Sequence, residues 1–371
     1  MMTTARDVVD RDLDYICDAL TDELATLGGE KLLITGGAGF LGYYMVQAIV
    51  HWNRLHDPSR RIGLTVMDNF MRGVPQWLTE LEGLPGLTLL RRSILEPLPD
   101  DFPDFQAVVH AAGIASPIYY RRYPIETMDA NVDGLRQILD GCVDRIRKGN
   151  PLRAMLYFST SEIYGDPTPE NIPTPETYRG NVSCTGPRAC YDESKRFGET
   201  LCVSFSQVHG IPVKVARPFN NYGPGLKISD GRVIPDFARD ILAGRDIVMK
   251  SDGSPTRTFC YAADAVVGYY KVLLRGRNGE AYNIGVESPE ISMRELADRL
   301  VGIAGDLFGY TGRVVCQAEA HQDYLVDNPN RRCPVITKAR TELGYDPRIG
   351  IDDGLVRSMV WYGGNREAED K

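Results

Sequence analysis

The residues of this sequence best suited to proton transfer are a tyrosine and a lysine four positions apart, Tyr191 and Lys195. They begin a segment, Tyr191–His209, whose apolar residues recur at helical spacing, and positions four apart project from one face of a helix. An ammonium group beside a phenol stabilises the phenolate. We therefore expect the pKa of Tyr191 to be lowered toward neutrality and its oxygen to act as a general base.

A glycine-rich run in the segment Lys31–Gly42, KLLITGGAGFLG, is a candidate phosphate-binding turn. The segment starts as a short apolar strand, breaks into glycines and continues as a helical pattern from Tyr43 to Trp52. Glycines after a strand let the backbone approach a pyrophosphate, whose charge meets the N-terminus of the following helix. The glycines of the predicted turn are Gly36, Gly39 and Gly42.

An acidic residue, Asp68, ends the next apolar strand, Ile62–Asp68, at the distance expected for a carboxylate that binds the adenosine ribose. This carboxylate can bond both ribose hydroxyls and would repel a 2′-phosphate, so the sequence favours NAD over NADP. Arg72 lies close enough in sequence to weaken that preference, but the run DNF-x-x-G fits the NAD-using pattern.

Strand-like and helix-like segments alternate from Lys31 onward and must position these groups. The predicted strands are KLLIT, GLTVMD, LTLLR, AVVHAAG and AMLYFST, and one of the predicted helices covers Asn131–Arg147. The alternation predicts an α/β fold, a Rossmann-type doubly wound parallel sheet with its ligand at the carboxyl ends of the strands. The HAAG and STSE segments should line the same crevice as the glycine turn, and the predicted cofactor contacts there are Gly36, Gly39, Phe40, Leu41, Gly42, Asp68, Asn69, His110, Ala111, Ala112 and Thr160.

The chain is predicted to have three parts. Residues 1–30 carry a helical apolar stripe that Gly28 and Gly29 end, and we expect this extension to pack on the outside of the domain, with an oligomer contact as the alternative. Residues 31–217, with part of 259–285, form the predicted NAD-binding domain. Residues 218–258 and 286–371 form a smaller C-terminal substrate-binding lobe.

Composition disfavours several classes of partner. The 371 residues carry a formal net charge of −8, which disfavours nucleic acid as an obligate partner because phosphate binding needs a basic surface. The arginine pairs at 121–122 and 331–332 are expected to be solvated faces. No stretch reaches a transmembrane length and the N-terminus lacks the order of a secretory signal, so no membrane is expected and a cytoplasmic location is predicted.

Cysteine and histidine spacing gives no indication of a metal site. The eight cysteines form no C-x-x-C pair, which disfavours both a zinc site and a disulfide framework. The five histidines show no ligand spacing, and His110 lies in an apolar run where a structural role is the default. We expect no metal.

Taken together, GGAGFLG, HAAG, STSE and YDESK resemble the extended short-chain dehydrogenase/reductase family. The resemblance runs from Lys31 to about Tyr362. It implies that Tyr191 takes a hydroxyl proton while a hydride passes to NAD, and that Lys195 also holds the nicotinamide ribose. Tyr191, Lys195 and Asn131 are therefore further expected cofactor contacts. It further implies a homodimer that pairs the helices corresponding to Asn131–Arg147 and Tyr191–His209.

Within that family, TSEIYGDP, GPRACYDESKR, ASPIYY, RPFNNYGPG, SDGRVIPDF and SPTRTF look like the UDP-glucuronate decarboxylases, which make UDP-xylose. The 4,6-dehydratases carry Thr-Asp-Glu, in which the aspartate protonates the leaving hydroxyl, whereas this chain has Thr160, Ser161 and Glu162. The resemblance thus implies transient oxidation of a nucleotide-linked uronic acid at C4, loss of CO₂ and re-reduction.

By the same resemblance, further residues acquire roles. Ser161, Glu162 and Arg257 would position the substrate carboxylate and manage protonation at C5, while Thr160 and Arg257 would help to stabilise an enolate. Sugar or carboxylate contacts are implied for Tyr120 and Arg188, and sugar-nucleotide contacts for Asn220 and Arg232.

The chain departs from the decarboxylase pattern at three places. Ser93 stands where an acidic residue is common, Gly225 where an arginine is frequent, and the late Arg-x-Pro-Asp run becomes Arg332-Cys333-Pro334-Val335. The sugar and the nucleotide base therefore stay open. A 4,6-dehydratase or a 4-epimerase is the alternative enzyme, and a non-catalytic NAD-binding protein is the remote one.

Overall fold

The computed structural model describes residues 3–317 and 329–365. The strands in this part are β1 (Lys31–Thr35), β2 (Gly63–Asp68), β3 (Leu87–Arg91), β4 (Ala107–His110), β5 (Ala154–Phe158), β6 (Val213–Pro218), β7 (Asn221–Tyr222), β8 (Ile247–Met249), β9 (Thr256–Arg257), β10 (Cys260–Tyr261), β11 (Ala281–Ile284), β12 (Ile291–Ser292), β13 (Val314–Cys316) and β14 (Arg331–Arg332). The helices are α1 (Ala5–Ala19), α2 (Thr21–Ala25), α3 (Phe40–Leu55), α4 (Gln76–Thr79), α5 (Pro117–Arg122), α6 (Pro124–Asp129), α7 (Leu135–Arg147), α8 (Ala189–His209), α9 (Val233–Leu242), α10 (Ala262–Arg275), α11 (Met293–Phe308), α12 (Thr337–Leu343) and α13 (Ile351–Gly364). Across these two ranges, no helix is both long and apolar enough to cross a membrane.

Within the described residues, the central sheet has seven strands in the order β11-β6-β5-β4-β1-β2-β3, all paired in parallel. The chain runs outward from β1 through β2 to β3 and then returns to β4 on the other side of β1. The strand order therefore reverses between β1 and β4, and ligands of such sheets bind where the order reverses. The predicted doubly wound parallel sheet is confirmed.

Both faces of the sheet are buried, which explains why its strands are nearly continuous apolar runs. Along β1, Leu32 and Ile34 belong to an apolar cluster that includes residues of α3 and α10. Leu33 points to the opposite face and belongs to a second cluster, which includes residues of α7 and α8. Alternate residues of one strand thus anchor helices on opposite sides of the sheet.

The N-terminal segment packs on the outside of the α3 and α10 layer. Helix α1 begins with a capping box, in which the Thr4 hydroxyl accepts a hydrogen bond from the Asp7 amide and the Asp7 carboxylate accepts one from the Thr4 amide. Its apolar face is buried against α3, α10 and α13. Asp12 on this helix is fully buried and accepts hydrogen bonds from the side chains of Tyr44, Tyr261 and Arg357.

A small three-stranded sheet brings two distant arginines together. Strand β9 lies between β12 and β14, and Arg332 of β14 stands in register with Arg257 of β9. Neighbouring strands are about 5 Å apart, so both side chains reach the same region of the molecule.

Candidate active site

A cleft of about 1640 Å³ opens at the carboxyl ends of the central strands. It is bordered by the glycine turn after β1, by the start of α8 and by the loops that follow β6. Two of the predicted site residues, His110 and Asn131, do not border this cleft; all the others do.

The glycine turn has the geometry that a close phosphate approach requires. Gly36 has φ +72°, and a Cβ there would lie 2.5 Å from the backbone of Ala112. A Cβ on Gly42 would lie 2.2 Å from the carbonyl oxygen of Gly37. Helix α3 begins at Phe40 with Gly39 as its cap, and no side chain caps its first amides. The N–H groups of this first turn, which include the amide of Leu41, can bind an anion.

Asp68 stands at the end of β2, beside that turn. Its carboxylate accepts hydrogen bonds from the amides of Ala38 at 3.1 Å and Phe70 at 2.8 Å. Burial raises its pKa above the usual range, and these two bonds oppose the shift. The next residue, Asn69, accepts a hydrogen bond from the Met71 amide at 3.0 Å. The loop after β2 is thus ordered by its own side chains.

His110 and Asn131 lie behind the cleft wall, whereas Ala111 and Ala112 form part of the wall. His110 is buried, shares a 2.8 Å hydrogen bond with the Thr35 hydroxyl, and burial lowers its pKa to about 3. Asn131 donates to the Ser194 hydroxyl at 2.9 Å, while its Oδ1 has no hydrogen-bond partner within the described residues. Both side chains support the wall from inside.

Tyr191 and Lys195 are buried in the first turns of α8, and both border the cleft. The Tyr191 ring stacks on Tyr120, with 5.1 Å between ring centroids. Lys195 donates to the carbonyl of Phe158 at 2.9 Å. A hydrogen bond with Thr160 stabilises the ionised form of Tyr191.

The pKa of Tyr191 differs from the sequence-based expectation. Burial raises it to about 12, and the hydrogen bond with Thr160 opposes that shift only in part. Burial also lowers the pKa of Lys195 to about 8. The expectation of a lowered tyrosine pKa was wrong for the protein alone, because removal of the phenolate from water outweighs the help of its polar neighbours.

Glu162 is held by two arginines at the back of the cleft. Arg332 donates both terminal nitrogens to its carboxylate, at 2.6 and 2.5 Å, and Arg188 forms a second ion pair with it. Burial by itself would raise the pKa of Glu162, but the two guanidinium groups lower it to about 2. Glu162 is therefore ionised at neutral pH. Ser161, its neighbour, is buried and borders the same cleft.

Asp192 lies behind Arg188, with 3.6 Å between its carboxylate and Arg188 Nε. Burial and the nearby charge of Glu162 raise its pKa to about 7. One arginine thus stands between two carboxylates, of which only Glu162 borders the cleft.

The remaining predicted substrate contacts are fixed by main-chain carbonyls. Arg257 donates to the carbonyls of residues 256, 329 and 330 at 2.7, 2.5 and 3.0 Å. Asn220 has φ +44° and donates to the Thr258 carbonyl at 2.8 Å. Arg232 donates to the Ala115 carbonyl at 3.4 Å. Each residue borders the cleft.

Arg332 is the main site residue that the sequence analysis missed. The pair at 331–332 was expected to be a solvated face, and this is wrong for Arg332, which is 8% exposed and bound to Glu162. Only Arg331 lies at the surface, where it pairs with Glu290. Alternation along β14 sends the two side chains to opposite sides. The signal available in the sequence was the Arg-x-Pro run at 332–334, which keeps its arginine although Val335 replaces the usual aspartate.

The model of the NAD dependent epimerase/dehydratase family matches residues 32–285. The chain belongs to this family. Among its curated relatives, UDP-glucuronic acid decarboxylase 3 of Arabidopsis thaliana is 35% identical over 325 residues, which cover 88% of this chain and 86% of that protein. UDP-glucuronic acid decarboxylase 1 of Xenopus tropicalis is 33% identical over 335 residues, covering 90% and 72%.

Solved structures of epimerase/dehydratase proteins share the fold. A dTDP-glucose 4,6-dehydratase from Streptomyces venezuelae, solved with NAD bound, is 26% identical with a TM-score of 0.76 and covers 92% of this chain and 99% of its own. An epimerase from Methanothermobacter thermautotrophicus has a TM-score of 0.77 at 23% identity, with coverage of 95% and 97%.

The structure shows the surroundings of two residues, Gly225 and Ser93, at which this epimerase/dehydratase chain differs from the decarboxylase pattern. Gly225 has φ +87°, and a Cβ there would lie 2.4 Å from Cβ of Tyr43. Any larger residue at this position would therefore clash with α3. Ser93 borders the cleft and accepts a hydrogen bond from the Leu95 amide at 3.2 Å.

Proposed function

We propose that this protein is an NAD-dependent decarboxylase of a nucleotide-linked uronic acid, converting UDP-glucuronate to UDP-xylose or its 4-keto form. The proposal rests on one observation above all: Glu162 is held between Arg188 and Arg332 in the cleft that Tyr191 borders. Arg188 and Arg332 carry one positive charge more than Glu162 and Asp192 together when Asp192, whose pKa is raised to about 7, is protonated, and that charge is available to the carboxylate of a uronic acid. The names of the curated relatives support the same reaction.

The cofactor we propose is NAD. The close backbone approach at Gly36 and the uncapped start of α3 fit a pyrophosphate, and Asp68 fits a ribose diol. Bound NAD supplies reversible hydride transfer at C4 of the sugar. Lys195, whose ammonium is held by Phe158, fits the nicotinamide ribose.

Tyr191 is the proposed base that removes the proton of the C4 hydroxyl and later returns it. Its ring is held by the stack on Tyr120, and its ionised form is stabilised by Thr160. Burial raises the pKa of Tyr191 to about 12 in the protein alone, so its action as a base requires the positive charge that bound NAD⁺ would add in the cleft.

A ketone at C4 makes the sugar carboxylate a β-keto acid, which loses CO₂ as the ketone oxygen accepts the electrons. The resulting enolate then takes up a proton from solvent at C5, and the Ser161 hydroxyl, which borders the cleft, is the proposed relay for that proton. Arg257 and Arg188 supply positive charge near the developing enolate. Since Glu162 has a pKa of about 2, it acts as a fixed charge that orients these groups, not as an acid. Ser161 has no carboxyl group to protonate a leaving hydroxyl, which disfavours a dehydratase.

We also propose the three-part division into residues 1–30, residues 31–217 with part of 259–285, and residues 218–258 with 286–371. A homodimer through α7 and α8 is supported by large apolar side chains exposed on α6 and α8. These are Ile125, Met128, Phe197 and Val208. A cytoplasmic location is supported by cysteines present as free thiols.

The decisive experiment is incubation of the purified protein with NAD⁺ and UDP-glucuronate, following CO₂ release and the mass of the nucleotide product. The nucleotide product is expected to be lighter than the substrate by the mass of CO₂. The rate of CO₂ release should fall about 10²–10⁴-fold in Tyr191→Phe, because the base is removed. Glu162→Gln is expected to lower the same rate strongly. An unchanged product mass would overturn the decarboxylase proposal. Loss of water from another sugar nucleotide would then identify a dehydratase, and a new isomer an epimerase.

A further inference from the structure

Asp192 is a buried carboxyl group that lies beside the cleft without bordering it. One of its oxygens, Oδ2, lies 3.6 Å from Nε of Arg188, which is beyond the length of a hydrogen bond. The other oxygen, Oδ1, and this Nε have no hydrogen-bond partner within the described residues. The ionised form of Asp192 is therefore weakly stabilised, whereas Glu162 accepts charged hydrogen bonds on both of its oxygens.

Two arginines and two carboxyl groups form this cluster, and Arg188 is the arginine that both carboxyl groups share. Its Nη2 pairs with Glu162 and its Nε faces Asp192, while Arg332 directs both terminal nitrogens to Glu162. With both carboxyl groups ionised, the cluster has no net charge. A third carboxylate that enters the cleft beside the arginines would leave one negative charge in excess in a buried region, which is unfavourable.

The charged and titratable groups that face Asp192 come from the start of α8, from α5, from the segment after β5 and from β14. They are Arg188, Cys190, Tyr191, Tyr120, Glu162 and Arg332. The two arginines carry the positive charge of this set, and Glu162 engages both. Burial and the charge of Glu162 raise the pKa of Asp192 to about 7, so a further negative charge nearby moves this group toward its protonated form.

We propose that Asp192 takes up a proton when the carboxylate of the uronic acid binds beside Arg188 and Arg332, an inference that rests on the proposed function. The neutral carboxyl group restores zero net charge to the cluster and leaves the Nε side of Arg188 without a competing anion. The Asp192 side chain is 7% exposed, so the proton can come from solvent. When the carboxylate leaves as CO₂, the proton is released. Asp192 is thus a positioning residue that makes the binding of a charged sugar depend on pH.

The affinity for the uronic acid should fall as pH rises through the pKa of Asp192, because the ionised form repels the carboxylate. Between pH 7 and pH 9 the dissociation constant for UDP-glucuronate is expected to rise about tenfold relative to that for UDP-xylose, which has the same diphosphate but no carboxylate. Lys195, whose pKa is about 8, titrates in the same range and affects both ligands. The difference between the two ligands is therefore the quantity that reports on Asp192.

The test is calorimetric titration at pH 8 in two buffers of different ionisation enthalpy, which counts the protons taken up on binding. Each protein is saturated with NAD⁺ and carries Tyr191→Phe, so that UDP-glucuronate is consumed only slowly. Asp192→Asn is added in one protein, and Glu193→Gln in a control, since Glu193 is the next residue of α8, is 40% exposed and pairs with Arg196. The Tyr191→Phe protein and the control are expected to take up about half a proton more with UDP-glucuronate than with UDP-xylose, and Asp192→Asn should abolish this difference.

A purely structural role for Asp192 would weaken the binding of both ligands in Asp192→Asn. The proposal instead predicts that this variant binds UDP-glucuronate more tightly than the Tyr191→Phe protein at pH 9, because its side chain cannot ionise. Equal proton uptake with the two ligands in the Tyr191→Phe protein, or a difference that persists in Asp192→Asn, would overturn the proposal.

The outcomes also separate this inference from the proposed function. Binding of UDP-glucuronate without the extra proton, together with CO₂ release by the wild type, would overturn the inference alone. Failure of UDP-glucuronate to bind would show that the proposed substrate is wrong, and the inference would fail with it.

Discussion

Glu162 owes its charge to two arginines that reach it from different parts of the chain. Arg188 is the residue just before α8, and Arg332 comes from β14. A carboxylate buried without such partners would take up a proton at neutral pH, whereas this one keeps a pKa of about 2. The charge in the cleft is therefore shared among three residues, and removal of one changes the others.

We predict that Arg332→Gln lowers kcat/KM with UDP-glucuronate about 10–100-fold, because a bidentate charged hydrogen bond to a buried carboxylate is lost. Arg332→Lys should recover part of the loss by restoring the charge. The measurement is steady-state CO₂ release with saturating NAD⁺.

The matched control is Arg331→Gln, the neighbouring residue on the same strand, which pairs with Glu290 at the surface. It should change turnover by less than about twofold. Equal rates for Arg331→Gln and Arg332→Gln would show that the clamp on Glu162 has no part in the reaction.

At the scale of elements, the connection between β1 and α3 is determined by backbone contact. Gly36 touches Ala112 in the segment after β4, so the two turns at the point where the strand order reverses are in direct contact. A side chain at Gly36 would separate them and move the N-terminus of α3.

We predict that Gly36→Ala weakens NAD⁺ binding at least tenfold, because both the positive φ and the 2.5 Å approach exclude a methyl group. Calorimetric titration with NAD⁺ measures it, and circular dichroism checks the fold. Gly83→Ala is the matched control, since Gly83 has φ +82° with nothing within 4 Å of a Cβ. It should lose about 1 kcal/mol of stability and keep its NAD⁺ affinity. Unchanged affinity in Gly36→Ala would refute a phosphate turn here.

At the scale of the whole molecule, the N-terminal helix is joined to the core by a buried charge. Asp12 accepts hydrogen bonds from Tyr44 on α3, Tyr261 on β10 and Arg357 on α13. Burial raises the pKa of this carboxyl, and its three partners oppose the shift. The first and last described helices are thus linked through one side chain.

We predict that Asp12→Asn lowers the free energy of unfolding by about 3 kcal/mol, since an amide cannot replace a carboxylate opposite a buried arginine. Urea denaturation measures the change. Asp10→Asn on the same helix is the control, because Asp10 forms an exposed pair with Arg6, and its loss should be below about 1 kcal/mol. Similar losses in both variants would show that the buried network adds nothing to stability.

By itself, the sequence determined the doubly wound sheet, the position of the glycine turn and the Tyr191–Lys195 pair. These follow from local patterns: apolar runs of strand length, glycines between a strand and a helix, and a spacing of four on one helix face. Each pattern involves residues close together in the chain, so no knowledge of distant contacts was needed.

Only the tertiary structure decided which arginine holds Glu162, which aromatic ring stacks on Tyr191 and how burial shifts the pKa of Tyr191. Arg332 and Tyr120 reach their partners through pairings between segments far apart in sequence. The pKa of a buried group depends on how much water the surrounding packing removes. The local spacing of residues determines neither these long-range pairings nor the amount of water removed. For that reason the expectations for Arg332 and for the pKa of Tyr191 were wrong.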